Sequence, residues 1–197
     1  MDRDGTRPRL QQAGYRVIGL DRDTDTLRDA RIAAPGATFV RADMRRVPLA
    51  AGSVGAVICM WQSFGHFDAT GNQAVLGELA RVLMPNGRLV LDLYHRDFQI
   101  AHVGERQIER DGERVHETRT AAGDRLRVRL WYEAIASEEE FNWLLYTPVS
   151  LEAAARAVGL QMRMACSEFD ERVPASDERA RMQTVFEKSG TAPVLFP

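Results

Sequence analysis

The feature that most constrains this chain is a short apolar run, Tyr15 to Asp21, that ends in a carboxylate. Such a run is typical of a buried parallel strand, because a sheet covered by helices on both faces needs apolar residues on both faces. Asp21 would then lie at the carboxyl end of the strand, the edge at which open α/β sheets bind ligands, and could accept hydrogen bonds from both hydroxyls of a ribose. The alternative is that Asp21 caps the following helix, since Asp is a common N-cap residue.

Composition and charge narrow the class of partner. The chain has 197 residues, which favours one domain, and its 26 Lys and Arg residues nearly balance 28 Asp and Glu residues. This balance gives no general attraction to nucleic acid or to a membrane, so the expected partner is a small molecule. Cys59 and Cys166 show no metal-ligand spacing and are expected to be reduced core thiols. The charged N-terminus and the lack of a spanning apolar run favour a cytoplasmic protein.

Strand and helix patterns alternate along the first half of the chain. The predicted strands are residues 15–21, 37–43, 55–60 and 88–94, and the predicted helices are residues 23–34 and 72–84. This alternation is typical of a parallel, doubly wound α/β sheet. Asp43 ends the second strand as Asp21 ends the first. Towards the C-terminus we predict a short helix at 151–158 and two strands, 160–166 and 182–187, that pair at an edge.

Residues 103–147 follow a different pattern. Apolar and polar residues alternate with period two and Gly123-Asp124 forms a turn, which predicts antiparallel strands. Because the segment follows the strand that ends at Tyr94, it starts at the ligand-binding edge of the sheet. We therefore treat residues 1–197 as one domain with 103–147 as a β-rich cap. The cap either closes over a substrate or forms a homodimer interface.

The cap contains the aromatic residues Trp131, Tyr132, Phe141, Trp143 and Tyr146. If it closes over a substrate, Arg127 and Tyr146 are the residues expected to bind that substrate. Arg119 and Arg129 could join Arg127 in a site for an acidic group, because guanidinium groups bind carboxylates and phosphates with two hydrogen bonds.

The segment from Trp61 to Phe67 is both aromatic and polar, which suggests the wall of a pocket. Trp61 and Phe64, together with Tyr94 after a later strand, are candidate substrate-binding residues. His66 is the candidate general base, because an imidazole titrates near neutral pH and His66 follows a strand end. The alternative for His66 is a packing or capping role, and His95 and Asp97 are weaker candidates after the strand that ends at Tyr94.

Four of these segments together resemble the class I S-adenosylmethionine-dependent methyltransferases. They are Tyr15–Asp21, Arg41–Asp43, the aromatic loop after Met60, and the passage Leu79–Asp92. The last is the most specific, because family members commonly carry E-x-x-R-V-L-x-P-G-G before an apolar strand. Glu78, Arg81, Val82, Leu83, Pro85 and Gly87 match that pattern.

The resemblance implies a Rossmann-like, doubly wound, mostly parallel sheet with an antiparallel final strand and an antiparallel β insertion. It also implies S-adenosylmethionine as the cofactor. Asp21, with its neighbour Arg22, would bind the ribose, and Asp43 and Met44 would contact the adenine. Met60 and Trp61 would lie beside the methionine part and the reactive methyl group.

One departure from the family concerns the start of the chain. Members begin with a strand and a turn of the form D-x-G-x-G-x-G, and here only Gly5-Thr6, with Asp2 or Asp4 before it, offers a remnant. In the family that strand lies between the strands that end here at Asp21 and Met60. We therefore expect either that the sequence is a shortened or misassigned version of a longer chain or that other residues fill the gap. We expect the chain as given to bind S-adenosylmethionine weakly or not at all.

Three classes of function follow, in order of preference. The first is methyl transfer to a small molecule. The second is a noncatalytic binding or scaffolding protein of methyltransferase type, which the incomplete glycine turn favours. The third is a nicotinamide-dependent Rossmann enzyme, which the helix ending at Pro85-Asn86-Gly87 disfavours.

Overall fold

The computed structural model describes residues 6–110 and 112–190. They divide into two compact units, with the boundary between Ala50 and Ala51. Asp2, Asp4 and Gly5, considered above as remnants of a glycine-rich turn, lie outside the described residues. No described helix combines the length and the apolar character needed to span a membrane.

The first unit consists of two helices and two parallel strands. The elements are α1 (Thr6–Gln12), β1 (Ile18–Asp21), α2 (Thr24–Ala33) and β2 (Thr38–Arg41). β1 and β2 pair from Ile18 with Thr38 to Asp21 with Arg41. α2 packs on both strands and buries Leu27 and Ala30.

The first strand is shorter and more exposed than its sequence predicts. Tyr15 lies before the strand and is 65% exposed, while Ile18 is 43% exposed. The physical reason is the sheet itself, because the only described strand that pairs with β1 is β2. An apolar composition predicts burial only when neighbouring strands and helices are present to provide it.

The second unit is built on a five-stranded mixed sheet. Its strands are β3 (Val54–Cys59), β4 (Leu83–Tyr94), β9 (Leu160–Ser167), β10 (Asp170–Pro174) and β11 (Arg181–Lys188). Their order is β10-β9-β11-β4-β3. Helix α3 (Ala69–Val82) packs on β4, and α5 (Pro148–Arg156) packs on β9 and α3. The short helix α4 (Arg96–Ala101) follows β4 directly.

The α/β class and the antiparallel final strand are confirmed, whereas the expected parallel pairing is confirmed only in part in this unit. Only β3 and β4 pair in parallel, and the other three pairings are antiparallel. The two predicted terminal strands do pair, yet β11 lies inside the sheet between β9 and β4. The edge is formed instead by β10, whose polar sequence Asp-Glu-Arg-Val-Pro gave no strand signal.

The turn from α3 into β4 places two backbones close together. Asn86 has a φ of 61°. A Cβ atom on Gly87 would lie 2.8 Å from the Met84 carbonyl oxygen and 3.0 Å from the Gly55 carbonyl oxygen. Glycine is therefore required at position 87, and the Pro-Asn-Gly stop signal forms an irregularity within β4.

The segment predicted to be a β insertion is a four-stranded antiparallel sheet. Its strands are β5 (Gly104–Arg110), β6 (Glu113–Ala122), β7 (Arg125–Tyr132) and β8 (Ser137–Leu144), in that order. One face is an apolar cluster of Val115, Leu126, Val128, Leu130, Trp143 and Leu145, and Tyr94 of β4 packs against it. This contact fixes the four-stranded sheet beside the carboxyl end of β4.

Candidate functional site

The first unit places a carboxylate at the end of each of its strands. Asp21 is half-buried, and its Oδ1 accepts a hydrogen bond from the Asp23 amide at 2.9 Å. The N-cap of α2 is Asp23, which accepts from the Thr26 amide. Asp21 is therefore not the helix cap, and within the described residues its second oxygen has no hydrogen-bond partner.

Asp43, after β2, differs from Asp21 because both of its carboxylate oxygens accept hydrogen bonds. Its Oδ1 accepts from the Arg45 amide at 2.8 Å and its Oδ2 from Arg45 Nη2 at 2.6 Å, while Arg45 Nε lies within 3.2 Å of both oxygens. These hydrogen bonds lower the pKa of the Asp43 carboxyl to about 2. Met44 beside it is half-buried, and Arg22 is exposed. Both oxygens of Asp43 are therefore already hydrogen-bonded to Arg45.

In the second unit, the loop after β3 has an unusual backbone. Trp61 and Gln62 both have left-handed conformations, with φ values of 55° and 61°. Non-glycine residues with such angles are strained and cluster at functional sites. Met60, just before them, is half-buried, and its carbonyl accepts from Ser63 Oγ at 2.6 Å.

Hydrogen bonds to β4 hold this strained turn. The Trp61 amide donates to Asp92 Oδ2 at 3.0 Å, and the Gln62 amide donates to the Asp92 carbonyl at 3.0 Å. Gln62 is buried, and its Oε1 accepts from the Tyr94 amide at 2.5 Å. The loop is therefore attached to the end of β4 by both main-chain and side-chain groups.

The same loop is attached to the four-stranded sheet. The Leu144 amide donates to the Gly65 carbonyl at 2.8 Å, and Arg125 Nη2 donates to the Phe67 carbonyl at 3.0 Å. Gly65 has a φ of 108°, and a Cβ atom there would lie 2.8 Å from the Leu144 carbonyl oxygen. Only glycine permits this approach between the loop and β8.

The candidate aromatic residues of the loop divide by exposure. Trp61 is 53% exposed, whereas Phe64 is fully buried and packs against Tyr146 with ring centroids 5.6 Å apart. Tyr146 is half-buried and hydrogen bonds with Asn72, and burial raises the pKa of its phenol. The buried Phe64 ring therefore packs against Tyr146. Of the two candidate loop aromatics, Trp61 and Phe64, only Trp61 has an exposed ring.

His66 is exposed and contacts the four-stranded sheet. Trp143 Nε1 donates a hydrogen bond to His66 Nε2 at 3.3 Å. Because an indole N–H can only donate, Nε2 must be unprotonated in this arrangement, and the proton of the neutral imidazole is on Nδ1. His66 could therefore take up a proton at Nε2 only by breaking the hydrogen bond to Trp143.

The four-stranded sheet sorts its other candidate residues onto two faces. Trp143 lies edge-on to Tyr94 at 5.7 Å and stacks on Phe141 at 5.2 Å, on the apolar face. Arg127 alternates with buried Leu126 and Val128, so it lies on the opposite, exposed face, where it is 3.5 Å from Glu140. Arg129 and Trp131 share that exposed face. The structure therefore does not bring Arg127 together with Tyr94 and Tyr146.

Arg119 faces inward but is not available for an acidic ligand. It is 9% exposed, and its Nε donates to Glu117 at 2.8 Å while Nη1 donates to Gln99 of α4. Glu117 also accepts from Arg106, and its pKa is lowered because the two guanidinium groups outweigh the opposing effect of burial. These contacts connect the four-stranded sheet to α4.

Sequence reasoning missed the pair formed by Asp92 and Arg181. Asp92 is fully buried, and Arg181 of β11 donates from Nε to its Oδ1 at 3.0 Å and from Nη2 to its Oδ2 at 2.6 Å. Gln183 also donates to Asp92, at 2.8 Å. The sequence did contain one indication of this pair, the single carboxylate of Asp92 within the apolar run Leu89–Leu93. A charged group buried in a strand needs a partner, so this pattern predicts a cation nearby.

His95 is buried at the end of β4, and its Nδ1 has no hydrogen-bond partner among the described residues. Burial lowers its pKa, and Asp97 and Asp177 partly oppose this shift. His95 is therefore expected to be a neutral imidazole at pH 7.

Comparison with known proteins shows which proteins this architecture resembles. Residues 5–87 match the family model described as a methyltransferase domain. No curated protein sequence matches the chain significantly. The chain has the class I S-adenosylmethionine-dependent methyltransferase fold. Solved structures of this fold include S-adenosylmethionine-dependent methyltransferases, one of them with S-adenosylmethionine bound.

Three solved structures illustrate the likeness. An S-adenosylmethionine-dependent methyltransferase from Clostridium acetobutylicum has a TM-score of 0.77 at 10% identity over 89% of this chain and 76% of its own. CalS10 from Micromonospora echinaspora, an amino pentose methyltransferase with S-adenosylmethionine bound, has a TM-score of 0.68 at 21% identity over 94% and 79%. The sugar N-methyltransferase KedS8 from a Streptoalloteichus species has a TM-score of 0.67 at 19% identity over 87% and 70%.

The residues of the first unit fit part of this cofactor. The Asp21 oxygen without a partner in the described part of the chain could accept a hydrogen bond from a ribose hydroxyl without loss of a helix cap. Asp43 fits less well, because Arg45 engages both of its oxygens. An adenine amino group would have to displace Arg45 or share an oxygen with it.

Proposed function

We propose that this chain transfers a methyl group from S-adenosylmethionine to a small-molecule acceptor. The observation that carries the proposal is the state of Asp21, a half-buried carboxylate at a strand end with one oxygen that has no hydrogen-bond partner among the described residues, while Asp23 caps the helix. Such a carboxylate would bind a ribose diol. In this proposal Arg22 lies beside the ribose and Met44 packs on the adenine.

The acceptor would bind in the second unit, beside the loop from Trp61 to Phe67. Trp61 offers an accessible ring, and the half-buried Tyr94 and Tyr146 offer aromatic rings near the same loop. In this proposal the four-stranded sheet acts as a cap, supported by its hydrogen bonds from Leu144 and Arg125 to the loop. Two similar structures carry names of amino pentose and sugar N-methyltransferases, which supports testing amino sugars first.

When bound, S-adenosylmethionine supplies a methyl group on a positively charged sulfur. What remains for the protein is to align the acceptor and to manage its proton. In our proposal His66 accepts that proton at Nε2 once the acceptor displaces the Trp143 indole as its partner.

The competing proposal is a noncatalytic protein of methyltransferase fold that still binds a ligand. It is favoured by two observations, the hydrogen bond that occupies His66 Nε2 and the Arg45 side chain that occupies Asp43. The two proposals differ in turnover, because a noncatalytic protein would bind S-adenosylmethionine without producing S-adenosylhomocysteine.

The deciding experiment measures formation of S-adenosylhomocysteine by mass spectrometry with a panel of amino sugars, and with the corresponding sugars that lack the amine. We expect turnover with at least one amine, and the variant His66→Ala should lower kcat by about 10²- to 10⁴-fold. His116→Ala is the matched control, because His116 lies on the four-stranded sheet and pairs with Glu133. Turnover by no acceptor would favour the noncatalytic alternative, and full activity of His66→Ala would remove His66 as the base.

A further inference from the structure

Arg181 lies at the centre of a stack of aromatic rings and charges. Its guanidinium carbon lies 5.3 Å from the ring centroid of Trp61 and 4.9 Å from that of Tyr94. Arg119 lies 5.8 Å from the Tyr94 ring centroid. The order Arg119, Tyr94, Arg181, Trp61 therefore alternates cations with rings and ends at a tryptophan that is 53% exposed.

The orientation of Arg181 is fixed by Asp92. Two nitrogens of the planar guanidinium bind the two carboxylate oxygens of Asp92, and Nη2 also donates to the Asp92 carbonyl at 3.2 Å. A fork of this kind fixes the plane of the group, which a lysine ammonium could not do. The plane of Arg181 in turn limits where the Trp61 ring can lie.

Asp92 acts on Trp61 through the main chain as well. The same Oδ2 that accepts from Arg181 accepts from the Trp61 amide at 3.0 Å, which is the hydrogen bond that holds the left-handed residue in place. Backbone strain of this kind persists only where surrounding contacts determine the conformation. One buried carboxylate therefore anchors both the backbone of Trp61 and the cation that contacts its ring.

We infer that Asp92 and Arg181 are positioning residues that hold Trp61 as a fixed wall of the acceptor site. The inference rests on the proposed function for its catalytic consequence, since Trp61 is placed there beside the acceptor. Neither Asp92 nor Arg181 has to touch substrate, because both act through Trp61. The pair connects β4, β11 and the loop after β3, so the wall is set by strands and not by the loop alone.

The conformation of Trp61 can be measured without activity. The chain has three tryptophans, so labelling with 5-fluorotryptophan gives three fluorine resonances, and Trp61→Phe assigns one of them. In Arg181→Lys we expect the Trp61 resonance to shift and broaden while that of Trp131, on the exposed face of the four-stranded sheet, stays in place. Arg163→Lys is the matched control, because Arg163 pairs with Glu187 near the opposite end of β11 and should move none of the three.

Kinetics supply the second readout. In Arg181→Lys, kcat/KM for the acceptor should fall by about 10²-fold, the scale expected when a binding wall moves by about 1 Å. The affinity for S-adenosylmethionine should be unchanged. An unmoved Trp61 resonance would overturn the inference, and so would a moved resonance with unaltered kcat/KM.

Two further outcomes can still be interpreted: failure of Arg181→Lys to fold, and absence of turnover by the parent protein. If Arg181→Lys does not fold, Asp92→Asn combined with Arg181→Met removes both charges and retains an oxygen that can accept from the Trp61 amide. That double variant should fold and show a mobile Trp61 ring, and a Trp61 resonance like that of the parent would overturn the inference. If the parent protein shows no turnover, the proposed function fails, and the fluorine spectra alone decide whether the pair holds Trp61.

Discussion

The loop after β2 and the loop after β3 both follow parallel strands, but they are stabilised differently. In the first, Asp43 is satisfied by Arg45, two residues away, and both side chains are more than a third exposed. In the second, Asp92 and Arg181, 89 positions apart in sequence, hold the loop, and Asp92 is fully buried. The first loop can change without loss of the fold, whereas the second is part of the core.

The largest expected difference between the two loops is in how much a substitution lowers the free energy of unfolding. Asp92→Ala leaves the Arg181 guanidinium without its partner, so we expect a loss of about 3–5 kcal/mol in the free energy of unfolding. Urea denaturation measures this loss. A change below about 1 kcal/mol, the usual limit for an exposed pair, would show that Asp92 is not a core anchor.

The loop after β3 should also be sensitive at Gly65. Gly65→Ala combines a φ of 108° with a contact of 2.8 Å to the Leu144 carbonyl oxygen, and should cost about 1–3 kcal/mol. Gly55→Ala in β3 is the matched control, because no atom lies within 4 Å of the new Cβ and its φ is ordinary. Thermal unfolding compares the two, and equal effects would contradict a tight approach between the loop and β8.

The contrast between the two loops explains what the sequence could predict. Asp23 as a cap and the contact between Asp43 and Arg45 are local, and helix signals gave the bounds of α2 and α5 within a few residues. The outward direction of Arg127 also followed from period two, because it alternates with Leu126 and Val128.

Other features depend on distant parts of the chain. The partner of Asp92 comes from a strand near the C-terminus, and the burial of Phe64 depends on Tyr146. The place of β11 inside the sheet depends on pairing with both β4 and β9. Local patterns carry no information about such pairings, so these elements were predicted without their neighbours.

For the loop after β2, a small effect is expected on stability. Asp43→Ala removes an exposed pair and should change the free energy of unfolding by about 0–1 kcal/mol, as urea denaturation can measure. A loss as large as that expected for Asp92→Ala would erase the distinction between the two loops.

The Asp43 carboxyl gives a finer test by titration. Its pKa of about 2 lies below the ordinary value of 3.8, so its contribution to stability is present above pH 3.8 and is lost as the pH falls towards 2. In Arg45→Ala we expect the pKa to return towards its ordinary value, as carbon-detected NMR of the side-chain carboxyl can show. An unchanged pKa would mean that Arg45 is not the cause of the shift.

The central claim is that Asp21 recognises the ribose of S-adenosylmethionine. The most direct measurement is a titration of the chain and of Asp21→Ala with S-adenosylmethionine, followed by NMR so that weak binding is seen. The control is Asp25→Ala, an exposed carboxylate that pairs with Arg28 in the first turn of α2. The account predicts that Asp21→Ala weakens binding by about 1–3 kcal/mol and that Asp25→Ala leaves it unchanged. Equal affinities for the two variants, or no binding by the parent chain, would contradict it.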